Sequence, residues 1–205
     1  WSALGSGLPF VSALATFDDG SGPTLHAAGG GTVWRWTGVS WSALGSGMGG
    51  GFVGPSIQAF AVFDDGNGPA LYAGGEFWYA GGVPADKIAR WDGTSWSALG
   101  DGLLLSGYAV GGLFVHDDGS GPALYAIGGI TFAGDVAVSY LARWDGSSWS
   151  ALGNGCNAPP YEVATFDDGT GPALFVAGSA RDSGASYLSK WGCPIRIETS
   201  RVRRR

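Results

Sequence analysis

Basic residues are scarce in this chain. The first 193 residues carry six Lys and Arg against sixteen Asp and Glu. Neutralising a phosphate backbone needs clustered Lys and Arg, so no nucleic-acid partner is expected for this body. Five arginines gather in residues 194–205 beside Glu198, but "RVRRR" is too short to define a nucleic-acid module and reads as a solvated terminus. Methionine occurs once, histidine and cysteine twice each. Two histidines in different strands build no histidine metal centre, and two cysteines do not fix the redox compartment. No run of about 18 apolar residues exists, so no membrane span is expected. No segment keeps a 3.6-residue apolar period, so no helix is expected. The chain opens directly on a repeat word, "WSALGSG", with no signal peptide ahead of it, and the expectation is that its native N-terminus has been removed.

What the chain has instead is glycine and tryptophan: 39 and 10 of 205 residues. Glycine without a three-residue period excludes collagen, and 45% hydrophobic with 13% aromatic residues argue against disorder. Many short strands joined by tight turns fit both facts. "FDDGNGPALYAGGEF" (Phe63–Phe77) looks at first like a phosphate loop, yet the same words recur at Phe17, His116 and Phe166. A catalytic loop is needed once, so a motif written four times is a structural unit. The DDG words lie 46, 53 and 50 residues apart, in the range of propeller repeats.

Each repeat divides into four strands. The first is mostly apolar, as for an inner strand buried on both faces: "VSALATF" (11–17), "IQAFAVF" (57–63), "VGGLFVH" (110–116) and "YEVATF" (161–166). A "DDGxGP" turn follows, in which Asp accepts nearby backbone N–H groups, Gly supplies positive φ and Pro stops the ladder. The second strand is "ALYAGG" or its equivalent. The third is "IARW", and "DGTS" turns it into the fourth, "WSALG", found at Trp1, Trp41, Trp96 and Trp149. A calcium loop would want oxygen ligands at alternating positions, where Gly and Pro stand here. A phosphate loop would lead into a helix and carry Lys.

The diglycines that close the second strand (Gly29–Gly30, Gly74–Gly75, Gly128–Gly129) resemble those of kelch-type propellers. So does the pattern Trp91-Asp92-Gly93…Trp96 and Trp144-Asp145-Gly146…Trp149. The resemblance departs in using Trp where kelch repeats use Tyr, and in Ala177–Gly178. The wording is closer still to Gly/Trp-rich repeats of secreted or surface-anchored bacterial proteins. The resemblance implies an all-β propeller and an extracellular or cell-surface location. It implies little about function, which resides in sites rather than folds.

The expected architecture is four blades of four antiparallel strands within residues 1–193. Blade 1 spans 8–45, blade 2 spans 55–100, blade 3 spans 108–153, and blade 4 spans 161–193 plus 1–5; residues 194–205 form a basic tail. Closing the last blade with Trp1–Gly5 would remove a free sheet edge. "PIRIETS" alternates apolar and polar residues and competes for that place, but Trp1–Gly5 matches the other copies letter for letter and is preferred. A ring-completing homodimer or a fragment of a larger propeller are the alternatives to a four-bladed monomer.

No cofactor, metal or catalytic group is called for. His26 and His116 take slots that hold aromatics in other repeats, and no serine stands beside a histidine–acid pair. Arg35, Arg90, Arg143 and Lys190 share one third-strand slot. They read either as ion pairs running from blade to blade, to an aspartate of a DDG turn, or as an anion-binding ring. Cys156 and Cys193 fall on opposite faces of a regular blade, about 16 Å apart. A disulfide needs Cα atoms within about 7 Å, so they pair only if the chain leaves the sheet after Trp191.

Variation concentrates in two loop sets: 76–87, 130–140 and 179–187 between second and third strands, and 45–56, 101–107 and 154–160 between repeats. Alternating chain direction puts both sets on one face, where repeat proteins bind. Trp78, Tyr79, Tyr108, Tyr140 and Tyr187 are the candidate ligand contacts there, with Tyr161 beside them, and Trp78–Tyr79 leads. The expected function is a non-catalytic binding or surface-display module for a protein or carbohydrate ligand. A lectin-like or carbohydrate-active protein is the alternative, the latter needing two converging carboxylates among Glu76, Asp86, Asp101, Asp135 and Asp182. A purely structural repeat that assembles into a larger ring is the third.

Overall fold

The computed structural model describes residues 3–179, 186–191 and 198–201. Among these the chain is all-β, without a helix. The first sheet holds β1 (Ala13–Asp18), β2 (Pro23–Gly29), β3 (Thr32–Trp36) and β4 (Trp41–Ala43), in that order. After β5 (Met48–Gly49) comes the second sheet. It contains β6 (Ser56–Asp64), β7 (Pro69–Glu76), β10 (Ile88–Trp91) and β11 (Trp96–Ala98). Inside its long loop, β8 (Tyr79–Ala80) and β9 (Val83–Pro84) join β5 in a small three-stranded sheet. The third sheet runs β12 (Leu103–Asp117), β13 (Pro122–Ala133), β15 (Leu141–Trp144) and β16 (Trp149–Ala151), with β14 (Val136–Ala137) paired to β13. The fourth is β17 (Pro160–Asp167), β18 (Pro172–Ser179), β19 (Ser186–Trp191) and β20 (Glu198–Arg201). All pairs are antiparallel, as hairpins joined by short turns must be.

A bulge recurs near the start of the inner strand. Register slips between Ile57 and Ala59, between Val110 and Gly112, and between Pro160 and Glu162. Opposite it stands one glycine in each of these three sheets, and the register corrects the diglycine alignment read from sequence. Ala28, Gly74 and Ala177 pair with Ala13, Ala59 and Glu162, so the equivalent glycines are Gly29, Gly75, Gly128 and Gly178. A Cβ on Gly29 would lie 2.1 Å from the Phe10 carbonyl oxygen. On Gly75 it would lie 2.0 Å from that of Ser56, and on Gly128 2.4 Å from that of Ala109. Backbone packs on backbone there, which only glycine permits.

The sheets stack in series. Phe17 of β1 is buried with Leu71 and Ala73 of β7. Phe63 of β6 is buried with Val110, Leu113 and Leu124 of the third sheet, and Tyr125 of β13 with Leu174 of β18. In the first two joints the aromatic before the DDG turn of one sheet is buried with the apolar second strand of the next, and in the third the second-strand Tyr125 takes that part.

The structure corrects the expected closing strand. Glu198–Arg201, inside the segment read as a tail, pairs with β19 and completes the fourth sheet. Among the described residues of the first five, Ala3–Gly5 form no strand. Instead the Leu4 carbonyl accepts the Trp41 indole N–H at 3.3 Å, and a Cβ on Gly5 would lie 3.0 Å from the Trp36 ring. Leu99 and Gly100 stand in the same way towards Trp149 and Trp144. The identical letters therefore encode a seat against the following tryptophan pair, not an edge that closes a ring. Trp96, the remaining member of this series, keeps its buried Nε1 without a hydrogen-bond partner among the described residues. Cys156 follows β16, with its N–H donating to the Ser139 carbonyl at 2.8 Å; Cys193 lies outside the described residues, and its pairing with it.

Candidate functional site: the loop face and the charged slot

The two variable loop sets meet through backbone pairing. Met48 and Gly49 pair with Ala80 and Tyr79, which pair in turn with Val83 and Pro84. In the third sheet, Leu103 and Leu104 pair with Ala133 and Phe132, where β13 pairs also with β14. Strand extensions, rather than free loops, thus carry the candidate residues.

Trp78 is seated on a glycine. A Cβ on Gly50, whose φ is +77°, would lie 2.7 Å from the Trp78 ring. The Trp78 N–H donates to the Gly49 carbonyl at 2.9 Å. Phe52 meets the indole edge-on, with centroids 5.8 Å apart at 86°, and the Phe52 N–H donates to Glu76 Oε1 at 3.4 Å. Phe52 is 81% and Val53 97% exposed, and Trp78, Tyr79 and Val83 are also exposed. The result is an aromatic ledge beside one carboxylate.

Sequence reasoning named Trp78 and Tyr79 and missed Phe52 and Val53. The available signal was their setting, Gly49-Gly50-Gly51-Phe52-Val53-Gly54-Pro55: an apolar pair between glycines and a proline belongs to no strand and has no core to enter. Tyr140 lies away from the ledge in the link between β14 and β15, half-buried with φ +68°. Tyr161 is exposed in β17. The backbones of Tyr108 and Tyr187 lie in β12 and β19. Of the carboxylates considered, Glu76 lies beside the ledge and Asp182 outside the described residues.

The charged slot resolves into one network per sheet. The first aspartate of each turn is consumed locally: Asp18, Asp64, Asp117 and Asp167 each accept two glycine N–H groups through Oδ1 at 2.8–3.0 Å. The second aspartate meets the third-strand base of its own sheet. Arg35 lies 3.1 Å from Asp19, Arg90 2.9 Å from Asp65, Arg143 3.6 Å from Asp118 and Lys190 2.5 Å from Asp168. The pairs therefore run within sheets and not between them. Tyr72 and Tyr125 add hydroxyl donors to Asp65 and Asp118 at 3.0 and 3.3 Å.

Burial works to raise the Asp65 and Asp118 carboxyls, but the turn N–H groups, the tyrosine hydroxyls and the arginines outweigh it and hold both below the usual range. Burial, reinforced by the aspartate charge, pushes Tyr72 up, and Tyr125 up to about 12. Among the described residues no three His, Cys, Asp or Glu gather as a metal site would require.

These shifts set a two-stage acid response. Burial lowers the pKa of His26 and His116 below 6.5. His26 faces Thr24, Asp19, Arg35 and Phe17; His116 faces Thr165, Asp117, Asp118 and Tyr125. The unfolded chain binds those protons first, so stability is full above pH 6.5 and declines below it. Asp92 and Asp145 are lowered from 3.8 to about 2 by the N–H groups of their own hairpins, and they add a second loss as pH falls from 3.8 towards 2. Thermal midpoints measured from pH 2 to 8 should therefore stay flat above 6.5 and fall in two stages. His26→Tyr with His116→Phe should remove the upper stage and leave the lower one. His26→Tyr also restores a hydroxyl towards Asp19 and should add about 1 kcal/mol.

Comparison with family models, with curated proteins and with solved structures finds no match to this chain.

Proposed function

We propose that the four sheets are kelch-type propeller blades and that the chain is a non-catalytic binding module, displayed outside the cell, whose ligand lies on the Phe52–Trp78–Tyr79 ledge. The observation that carries the reading is the ledge itself. Two large aromatic rings are held in a fixed edge-to-face pair, on a glycine seat, with their outer surfaces in water. Large apolar groups gathered at the surface are otherwise a liability. Rigid aromatics contribute contact area at low entropy cost, which suits the flat face of a sugar ring or an apolar protein surface. The Glu76 carboxylate beside Phe52 supplies an acceptor for a ligand hydroxyl or amide.

A glycan array with purified protein tests the reading. The expected result is binding that Trp78→Ala reduces at least tenfold, about 1.4 kcal/mol, while the thermal midpoint stays within a few degrees. Binding unaffected by Trp78→Ala or Phe52→Ala moves the ligand elsewhere. A blank array combined with Trp78-dependent binding to a defined protein assigns the ledge to a protein ligand. Binding to neither sinks the proposal.

A further inference from the structure

The joint between sheets is built three times inside the chain, and among the described residues its two halves remain unmatched at the ends. On the front half, Phe17 and Phe63 are 2% and 5% exposed beneath the following sheet, whereas Phe166, in the same slot of β17, is 59% exposed. On the back half, Leu113 is 9% exposed against the preceding sheet, whereas Leu14, in the same slot of β1, is 61% exposed. The turns repeat this contrast. A Cβ on Gly93 of the second sheet would meet Asp19 of the first at 3.0 Å, and one on Gly146 of the third would meet Asp65 of the second at 2.7 Å. Their counterpart in the first sheet, Gly38, has nothing within 4 Å.

The open surfaces have the composition of joints already formed. β1 presents Leu14 and Thr16 where β17 presents Val163 and Thr165, and Thr165 reaches His116 Nδ1 at 3.3 Å across the third joint. β17 and β18 present Phe166 and Phe175, in ring contact at 5.7 Å, as β6 and β7 present Phe63 and Tyr72 at 5.8 Å.

We propose that the front of the fourth sheet docks on the back of the first sheet of a second copy of this chain. Phe166 is then covered by the partner's Leu14 and Leu25, as Phe17 is by the second sheet. The contact is head to tail, so it forms a ring where the rotation closes and a chain of copies where it does not. It is independent of the aromatic ledge, and its readout is mass.

Light scattering across a concentration series should show species above the 20.9 kDa monomer. Phe166→Asp and Leu14→Asp should each reduce the protein to a monomer with unchanged circular dichroism, since both side chains are exposed in the single chain. Mixing the two variants should restore a dimer and nothing larger, because one sound front and one sound back remain. A wild-type monomer at about 100 μM, an assembly that survives both substitutions, or variants that fail to recombine would overturn the proposal.

Discussion

Gly75→Ala should be among the most damaging single-methyl additions to the chain, while Gly74→Ala, one residue away, should be mild. The added Cβ at residue 75 would sit 2.0 Å from the Ser56 carbonyl oxygen, with the Ile57 Cα 2.9 Å away. Both are backbone atoms of β6, pinned by the β6–β7 ladder, so relief requires opening the bulge. At residue 74 the new methyl meets side chains instead, Val110 at 2.7 Å and Leu113 at 3.2 Å. The equivalent positions in other sheets already carry Ala28 and Ala177. Overpacking against fixed atoms costs about 3 kcal/mol or more. For a chain of this length that is a fall of about 6 °C or more in thermal midpoint. Gly74→Ala should lower the midpoint by a third of that or less. Equal effects at both positions would refute the close-approach explanation.

The Asp65–Arg90 pair carries the second large effect. It is the most enclosed of the four, its side chains 7% and 15% exposed. Arg90→Met leaves a carboxylate facing only the Tyr72 hydroxyl and the Asn67 amide, and should cost about 2–3 kcal/mol, somewhat below the usual loss for a fully buried pair. Lys190→Met, in the same slot of the fourth sheet, breaks a pair open to water and should change stability little. Urea unfolding of both variants checks the gradient. If Arg90→Met leaves stability untouched but abolishes sulfate or phosphate binding, the slot is an anion site and the pairing argument fails.

The turns were legible from sequence because their chemistry is local. An aspartate, two glycines and a proline within six residues dictate which N–H groups fold back on which carboxylate. The partner of the third-strand base was legible in kind but not in place. Arg90 stands opposite Tyr72, and only that register brings it to the turn of its own sheet rather than a neighbour's. The N-terminal word misled for a related reason. "WSALG" at residues 1–5 is identical to β4 and its exit, yet the letters specify docking under the next tryptophan pair as well as strand formation, and periodicity does not separate the two. The glycine alignment failed because Gly74 and Gly30 imitate a doublet, whereas contact with a carbonyl oxygen distinguishes the required member. Phe52 was overlooked because the ledge is assembled from two loops far apart in sequence, which the β5–β8 pairing and the Phe52–Trp78 contact bring together.

Each third-strand base is paired with an aspartate of its own sheet, so none of these four ion pairs joins two repeats. Duplicating or deleting one repeat in a gene would strand none of these charges at the new boundary and would present each neighbour with the surface it already fits. Copy number in such an array is then free to drift without splitting any of these pairs.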